Sequence, residues 1–134
     1  FPANWAKTWD RDGCWSLTPT TGGPTPGSEP ETRAVMYFLQ SHNVETLISY
    51  HSAALGVFPG GVPWEEDSIK FAKALGKATK YPYPPLDTGC VYTGTLADYA
   101  VELGITAVDM ELSTHKFTDF EQNVKALEVL LNWR

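Results

Sequence analysis

The sequence predicts an α/β fold, a mixed and mostly parallel sheet flanked by helices, and three observations predict it. Short apolar strand patterns alternate with helical ones, as they do where helices join the strands of one sheet. Two of those strands end on residues with chemistry to offer, His51 and Glu111. No internal repeat and no linker divides the chain. Its 134 residues therefore read as a single domain, 1–134, long enough to bury a hydrophobic core.

Residues 1–29 read as an irregular loop. Gly13, Gly22, Gly23, Pro24, Pro26 and Gly27 leave little room for regular structure, and a loop of that length in a compact domain is usually functional or flexible. Ser28-Glu29-Pro30-Glu31 then signals a helix start, with Ser28 as N-cap, Glu31 completing a capping box and proline in the first turn. Val35, Phe38 and Leu39 give that helix an apolar stripe, and it ends near His42-Asn43.

Val44 to Tyr50 is the first strong strand, and 55–58 is a short second one. Trp64 to Thr79 is helical, with Ile69, Phe71, Ala72, Ala74 and Leu75 in its apolar positions. The run Tyr81-Pro82-Tyr83-Pro84-Pro85 follows because proline cannot continue a helix. Thr95 to Leu103 is a short helix stopped by Gly104. Ile105 to Leu112 is a buried strand. Thr118 and Glu121 read as a second capping box, opening a helix that turns Phe120, Val124, Leu127, Val129 and Leu130 inward.

Composition excludes two classes of partner. A formal net charge of −6 with scattered Lys and Arg argues against nucleic acid, whose phosphates need clustered cations. No apolar run approaches the roughly 20 residues that span a bilayer, and no charged-then-apolar signal opens the chain. Five tryptophans and six tyrosines fit an aromatic-walled groove as well as a core. Cys14 and Cys90 either form one disulfide or remain free thiols, and neither sits in a C-x-x-C pattern. The absence of an initial methionine suggests a processed product or a segment of a longer protein.

A strand ending on the imidazole of His51, at the glycine- and proline-rich edge 55–61, holds a metal ligand or general base where substrate reaches it. Glu111 at the end of a second strand reaches the same place, because ligands collect outside the carboxyl ends of strands in an open α/β sheet. His51 then acts as ligand and Glu111 as base; the plainer alternative is two polar strand ends. A metal site from His42, Glu45 and His51 fails on distance. Six residues of strand at about 3.3 Å each separate Glu45 from His51 by roughly 20 Å, whereas zinc ligands lie within about 2.3 Å of the ion. His42 is instead a helix C-terminal histidine facing the dipole. No G-x-S-x-G elbow is present, and Ser49 and Ser52 are too close in sequence to His51 for a serine hydrolase pair. A Cys90 nucleophile with His51 or His115 has no local signature.

Four segments in register, 28–34, Ser49-Tyr50-His51-Ser52, Gly94-Thr95-Leu96-Ala97-Asp98-Tyr99 and Gly104 through Leu112, carry a resemblance. Together they resemble the C-terminal half of a zinc metallocarboxypeptidase of the carboxypeptidase A superfamily. That resemblance implies a partial α/β/α sandwich and a hydrolase that removes C-terminal residues from peptides. It implies zinc, with His51 as the third ligand and Glu111 as the glutamate that takes a proton from the attacking water and delivers it to the leaving amine. Ser52 would line the substrate groove, and Tyr92 would be the mobile tyrosine that closes over substrate. The family's first two ligands and its carboxylate-gripping arginines lie upstream, so Phe1-Pro2 reads as starting just after them. An upstream segment or partner chain would then supply the other ligands, and zinc would be weak or absent in this chain alone. Two other readings are a non-catalytic peptide- or glycan-binding module and a truncated hydrolase with metal-independent ester cleavage. A secreted or periplasmic setting is favoured.

Asp109 lies two residues before Glu111 and shares its strand face, toward the presumed pocket for the departing residue. The family's other selectivity position is Ala97, which is uncharged. The expectation is therefore a preference for C-terminal lysine, arginine or a diamino acid, since an unpaired buried carboxylate is costly. The alternative is that a local hydrogen bond or Lys116 holds Asp109.

Overall fold

The structure is a computed structural model that describes residues 1–6, 8–9, 20–54, 56–87, 89 and 93–133. In chain order the elements are β1 (Thr8–Trp9), β2 (Thr20–Thr21), α1 (Pro30–Ser41), β3 (Thr46–Ser52), β4 (Gly56–Pro59), α2 (Glu66–Thr79), α3 (Leu96–Glu102), β5 (Thr106–Leu112) and α4 (Phe120–Asn132). β5 is the central strand of a three-stranded sheet of order β3-β5-β4. It pairs parallel with β3 and antiparallel with β4, so the sheet is mixed with one pairing of each kind. Within the stretch expected to be irregular, β1 and β2 form a short antiparallel ladder.

The sheet is covered on both faces, and strand alternation decides which residue goes where. Ile48 and its register partner Val108 face a cluster with Val57, Phe71, Ala72, Leu75, Met110 and Ala126, built by α2 and α4. One residue earlier, Leu47 and Ala107 face a cluster with Leu39, Ala97, Tyr99, Ala100 and Ile105, built by α1 and α3. Buried polar groups lock these layers. The Ala107 N–H donates to Ser68 Oγ at 3.0 Å, joining α2 to β5. The Gly61 N–H donates to Asp98 Oδ1 at 2.9 Å, joining the end of β4 to α3.

Three helix starts differ in detail from expectation. Pro30 disfavours a helical conformation for the residue before it, so Glu29 is extended and becomes the N-cap of α1. The Ser28 hydroxyl donates to Glu29 Oε1 at 2.6 Å instead of capping, and the expected box with Glu31 does not form. α4 begins after Asp119, which has φ 47° and makes no side-chain cap, so the Thr118–Glu121 box does not form either. The Asp119 carboxylate is occupied elsewhere: it accepts from the Ser113 N–H at 2.6 Å, Ser113 Oγ at 2.8 Å and Tyr81 Oη at 2.8 Å. α3 has a capping box that the sequence reading did not name, between Thr95 and Asp98.

Helix faces also depart from the expected stripes. On α1 only Leu39 is buried, while Val35 and Phe38 are exposed. On α4, Ala126 is buried and Val129 and Leu130 pack on the core, but Phe120 and Leu127 are exposed. His42 is the C-cap of α1, its Nδ1 lying 3.0 Å from the Phe38 carbonyl oxygen, as a histidine at a helix end should.

Candidate functional site

β3 and β5 run parallel, so both present their carboxyl ends at the same edge, and register sets which side chains meet there. His51 pairs with Glu111 and Ser49 with Asp109, giving four polar residues on one face. β4 closes the other side of β5, with Gly56 opposite Glu111 and Phe58 opposite Asp109. Beside Glu111, then, β4 offers no side chain at all. That glycine has φ 153° and its hydrogen points at Pro85, so any larger residue would strike Pro85 Cβ at 2.5 Å.

Each polar side chain has a defined setting. Glu111 is half-buried, and its Oε2 accepts the Ala54 N–H at 3.0 Å, which fixes the carboxylate against the turn leaving β3. The His51 side chain is about half exposed, and its Nε2 lies 2.9 Å from Ser49 Oγ and 3.5 Å from Asp109 Oδ1. The Asp109 side chain retains only 16% of its exposure, and Oδ1 is a buried oxygen without a well-formed hydrogen bond. Its contact with His51 is at the outer limit of hydrogen-bond length. The approach of the Asp109 side chain raises the His51 imidazole above the ordinary histidine value; partial burial opposes this, and the charges of Asp109 and Glu111 add to it.

Among the described residues, no three His, Cys, Asp or Glu side chains converge as a metal site. The donor chemistry at His51 nonetheless suits a single ligand. Its Nε2 is engaged by Ser49 and Asp109, and its Nδ1 makes no hydrogen bond to a described residue. Metal-bound histidines characteristically have one ring nitrogen held by a carboxylate or other acceptor while the other binds the ion.

Ser52, at the end of β3, lies with its Oγ 3.1 Å from His115 Nδ1. Sequence reasoning missed that contact, which joins residues 63 positions apart in the chain and has no sequence signal. Tyr92, proposed from sequence to close over substrate, lies outside the described residues, as do Cys14 and Cys90. Lys116, the alternative partner for Asp109, makes no ion pair among the described residues, whereas His51 does.

An apolar groove of about 360 Å³ is lined by Tyr50, Leu112, Thr118, Phe120, Asn123, Val124 and Leu127. Tyr50 and Leu112 alternate with His51 and Glu111 along their strands, so this groove is on the opposite face from the polar cluster. No helix among the described residues is long and apolar enough to cross a membrane.

The sequence pattern of the family described as "Zinc carboxypeptidase" matches residues 1–129. Mast cell carboxypeptidase A of Rattus norvegicus is 32% identical over 117 residues, an alignment taking in 70% of this chain and 28% of that protein. The Homo sapiens protein of the same name is 32% identical over 115 residues, with 68% and 27% covered. The chain thus spans well under a third of the length of these relatives. The crystal structure of murein-tripeptide amidase MpaA from Escherichia coli O157 superposes on all of this chain and 56% of that one, with a TM-score of 0.63 and 22% identity. At that identity the likeness is one of fold.

Proposed function

The chain belongs to the zinc carboxypeptidase family, and from that premise we propose that it carries part of a hydrolytic site for the C-terminal bond of peptides. His51 is one metal ligand and Glu111 is the proton-transfer group. The observation that carries this reading is their placement as register partners at the carboxyl ends of two parallel strands, with Gly56 of β4 bringing no side chain of its own beside Glu111.

Zinc, when bound, supplies Lewis acidity that makes a water more acidic and polarises the scissile carbonyl. His51 would hold it through Nδ1, the ring nitrogen that makes no hydrogen bond to a described residue. Glu111 is anchored through Oε2 by the Ala54 N–H, and its other oxygen makes no hydrogen bond to a described residue. That oxygen accepts a proton as water oxygen bonds to the carbonyl carbon, and returns it to the amine as the C–N bond breaks. Holding water, carboxylate and carbonyl in one geometry supplies much of the rate.

Ser52, next to His51 in the chain, is proposed to line the substrate groove, and Tyr92 is proposed to close over substrate. The remaining ligands would come from an upstream segment or a partner chain, and a secreted or periplasmic setting suits the reading. We read residues 1–134 as one domain.

The test is metal content measured together with hydrolysis of a peptide and of a simple ester. The expectation is weak zinc binding and poor peptide cleavage by this chain alone, and tight zinc binding with peptide cleavage once the other ligands are supplied. Ester cleavage that survives complete removal of metal would overturn the zinc reading.

A further inference from the structure

The geometry points to Asp109 as a positioning residue that fixes the ring of His51, holding the proton on Nε2 and turning Nδ1 outward as the ligating nitrogen. This rests on the reading of His51 as a metal ligand.

Three features converge on it. Asp109 Oδ1 is buried and lacks a well-formed hydrogen bond, and among the described residues its one ion-pair partner is His51, with Nε2 at 3.5 Å. Its register neighbours offer little else. Phe58, across β4, is apolar, and Ser49, across β3, directs its Oγ to the same Nε2 at 2.9 Å. Burial is also unequal, with 16% of the Asp109 side chain exposed against 51% for His51. The carboxylate is therefore the fixed inner end of the pair, and the imidazole is the outer end that faces the site.

A carboxylate oxygen can only accept, so the pairing is satisfied when Nε2 carries the hydrogen and donates. The lone pair then resides on Nδ1. The strand backbones set this, because the diagonal from Asp109 to His51 is fixed by the parallel register of β3 and β5. Outer carboxylates that orient metal-binding histidines commonly control both tautomer and ring angle. A carboxylate committed to His51 is also unavailable to grip a cationic side chain of a substrate, so positioning and substrate selection are competing roles for the same group.

The experiment uses the 134-residue chain with ¹⁵N-labelled histidine. Its three histidines are His42, His51 and His115, and His51→Gln assigns the signal of interest. Ring nitrogens are read at a pH where all imidazoles are neutral. Expected for the parent protein is a single His51 tautomer with the proton on Nε2. Asp109→Asn keeps a carbonyl acceptor and should retain it, whereas Asp109→Val should move the two nitrogen signals toward each other as the tautomers mix. Unchanged His42 and His115 signals establish that the variants fold.

A parent protein with the proton on Nδ1 overturns the proposal, and this reading needs no variant. So does an Asp109→Val protein whose His51 signals match the parent's. The functional reading fails separately: if His51→Gln leaves the zinc affinity of the metal-loaded protein unchanged, His51 is not a ligand, whatever its tautomer. Comparing peptides ending in lysine and leucine decides the competing role. A lysine preference that Asp109→Asn abolishes, with the tautomer unaffected by either substitution, would assign Asp109 to substrate and not to His51.

Discussion

His51 and Glu111 stand directly across from each other in the parallel pairing of β3 and β5, 60 residues apart in sequence and register partners in space. Parallel pairing places both at the same sheet edge and alternation places both on the same face. The opposite face, one residue away on each strand, packs Met110 into the α2–α4 core. A one-residue slip of either strand would bury one of the pair and expose an apolar neighbour, so the hydrophobic core enforces the site's geometry.

Glu111→Gln should preserve the fold and any bound metal while removing most turnover from the completed protein. The glutamine carbonyl can still accept the Ala54 N–H, but the amide cannot take up a proton from water. General-base catalysis is typically worth about 100- to 10,000-fold. Steady-state hydrolysis beside metal analysis checks this, and near-normal turnover would remove Glu111 from the mechanism.

Asp119→Asn should change how stability responds to acid. The Ser113 N–H, and then its hydroxyl, hold the Asp119 carboxyl below its ordinary value, with Tyr81 adding to the effect and burial opposing it. A depressed acid contributes stability above its unfolded value, about 3.9, and loses it as pH falls through the folded value. The variant should therefore be less stable than the parent near pH 6, with the gap closing toward about pH 2. Urea midpoints across that range measure it; a gap that stays constant would mean the Asp119 charge contributes nothing.

Gly76→Ala is expected to destabilise, although helix propensity argues the other way. Alanine in a helix interior gains about 1 kcal/mol over glycine. At Gly76 the added Cβ would lie 2.7 Å from Tyr83 Cβ and 3.2 Å from the Tyr81 carbonyl oxygen. Overpacking of that kind costs about 1–3 kcal/mol, which outweighs the propensity gain. A higher thermal midpoint in Gly76→Ala would show that the segment 81–83 yields readily.

Phe71→Ala should cost about 3–5 kcal/mol, the usual loss for a buried phenylalanine. Phe71 is fully buried in the α2–α4 cluster, and its ring centroid lies 4.9 Å from that of Trp133. Denaturant unfolding followed by tryptophan fluorescence reports the loss, and a cost below 1 kcal/mol would mean that Trp133 collapses into the vacated space.

Much of this protein was legible in its sequence because local rules fix it. Apolar patterns located α2, α3, α4 and β5 to within a few residues, since helical and strand periodicities are properties of the chain itself. Four segments in register, those around His51 and Glu111 among them, indicated the family, and strand ends at an α/β sheet edge indicated why both belong to one place. Tertiary structure decided what those rules leave open. Pro30 made Glu29 the N-cap of α1, and α4 begins after Asp119, whose carboxylate is held by Ser113 and Tyr81, so neither expected capping box forms. The antiparallel placement of β4 opposite Glu111, the contact of Ser52 with His115 and the turning of Asp109 toward His51 all depend on which strands become neighbours. Sequence spacing put Asp109 on the correct face, but only the register of β3 against β5 could supply the imidazole beside it.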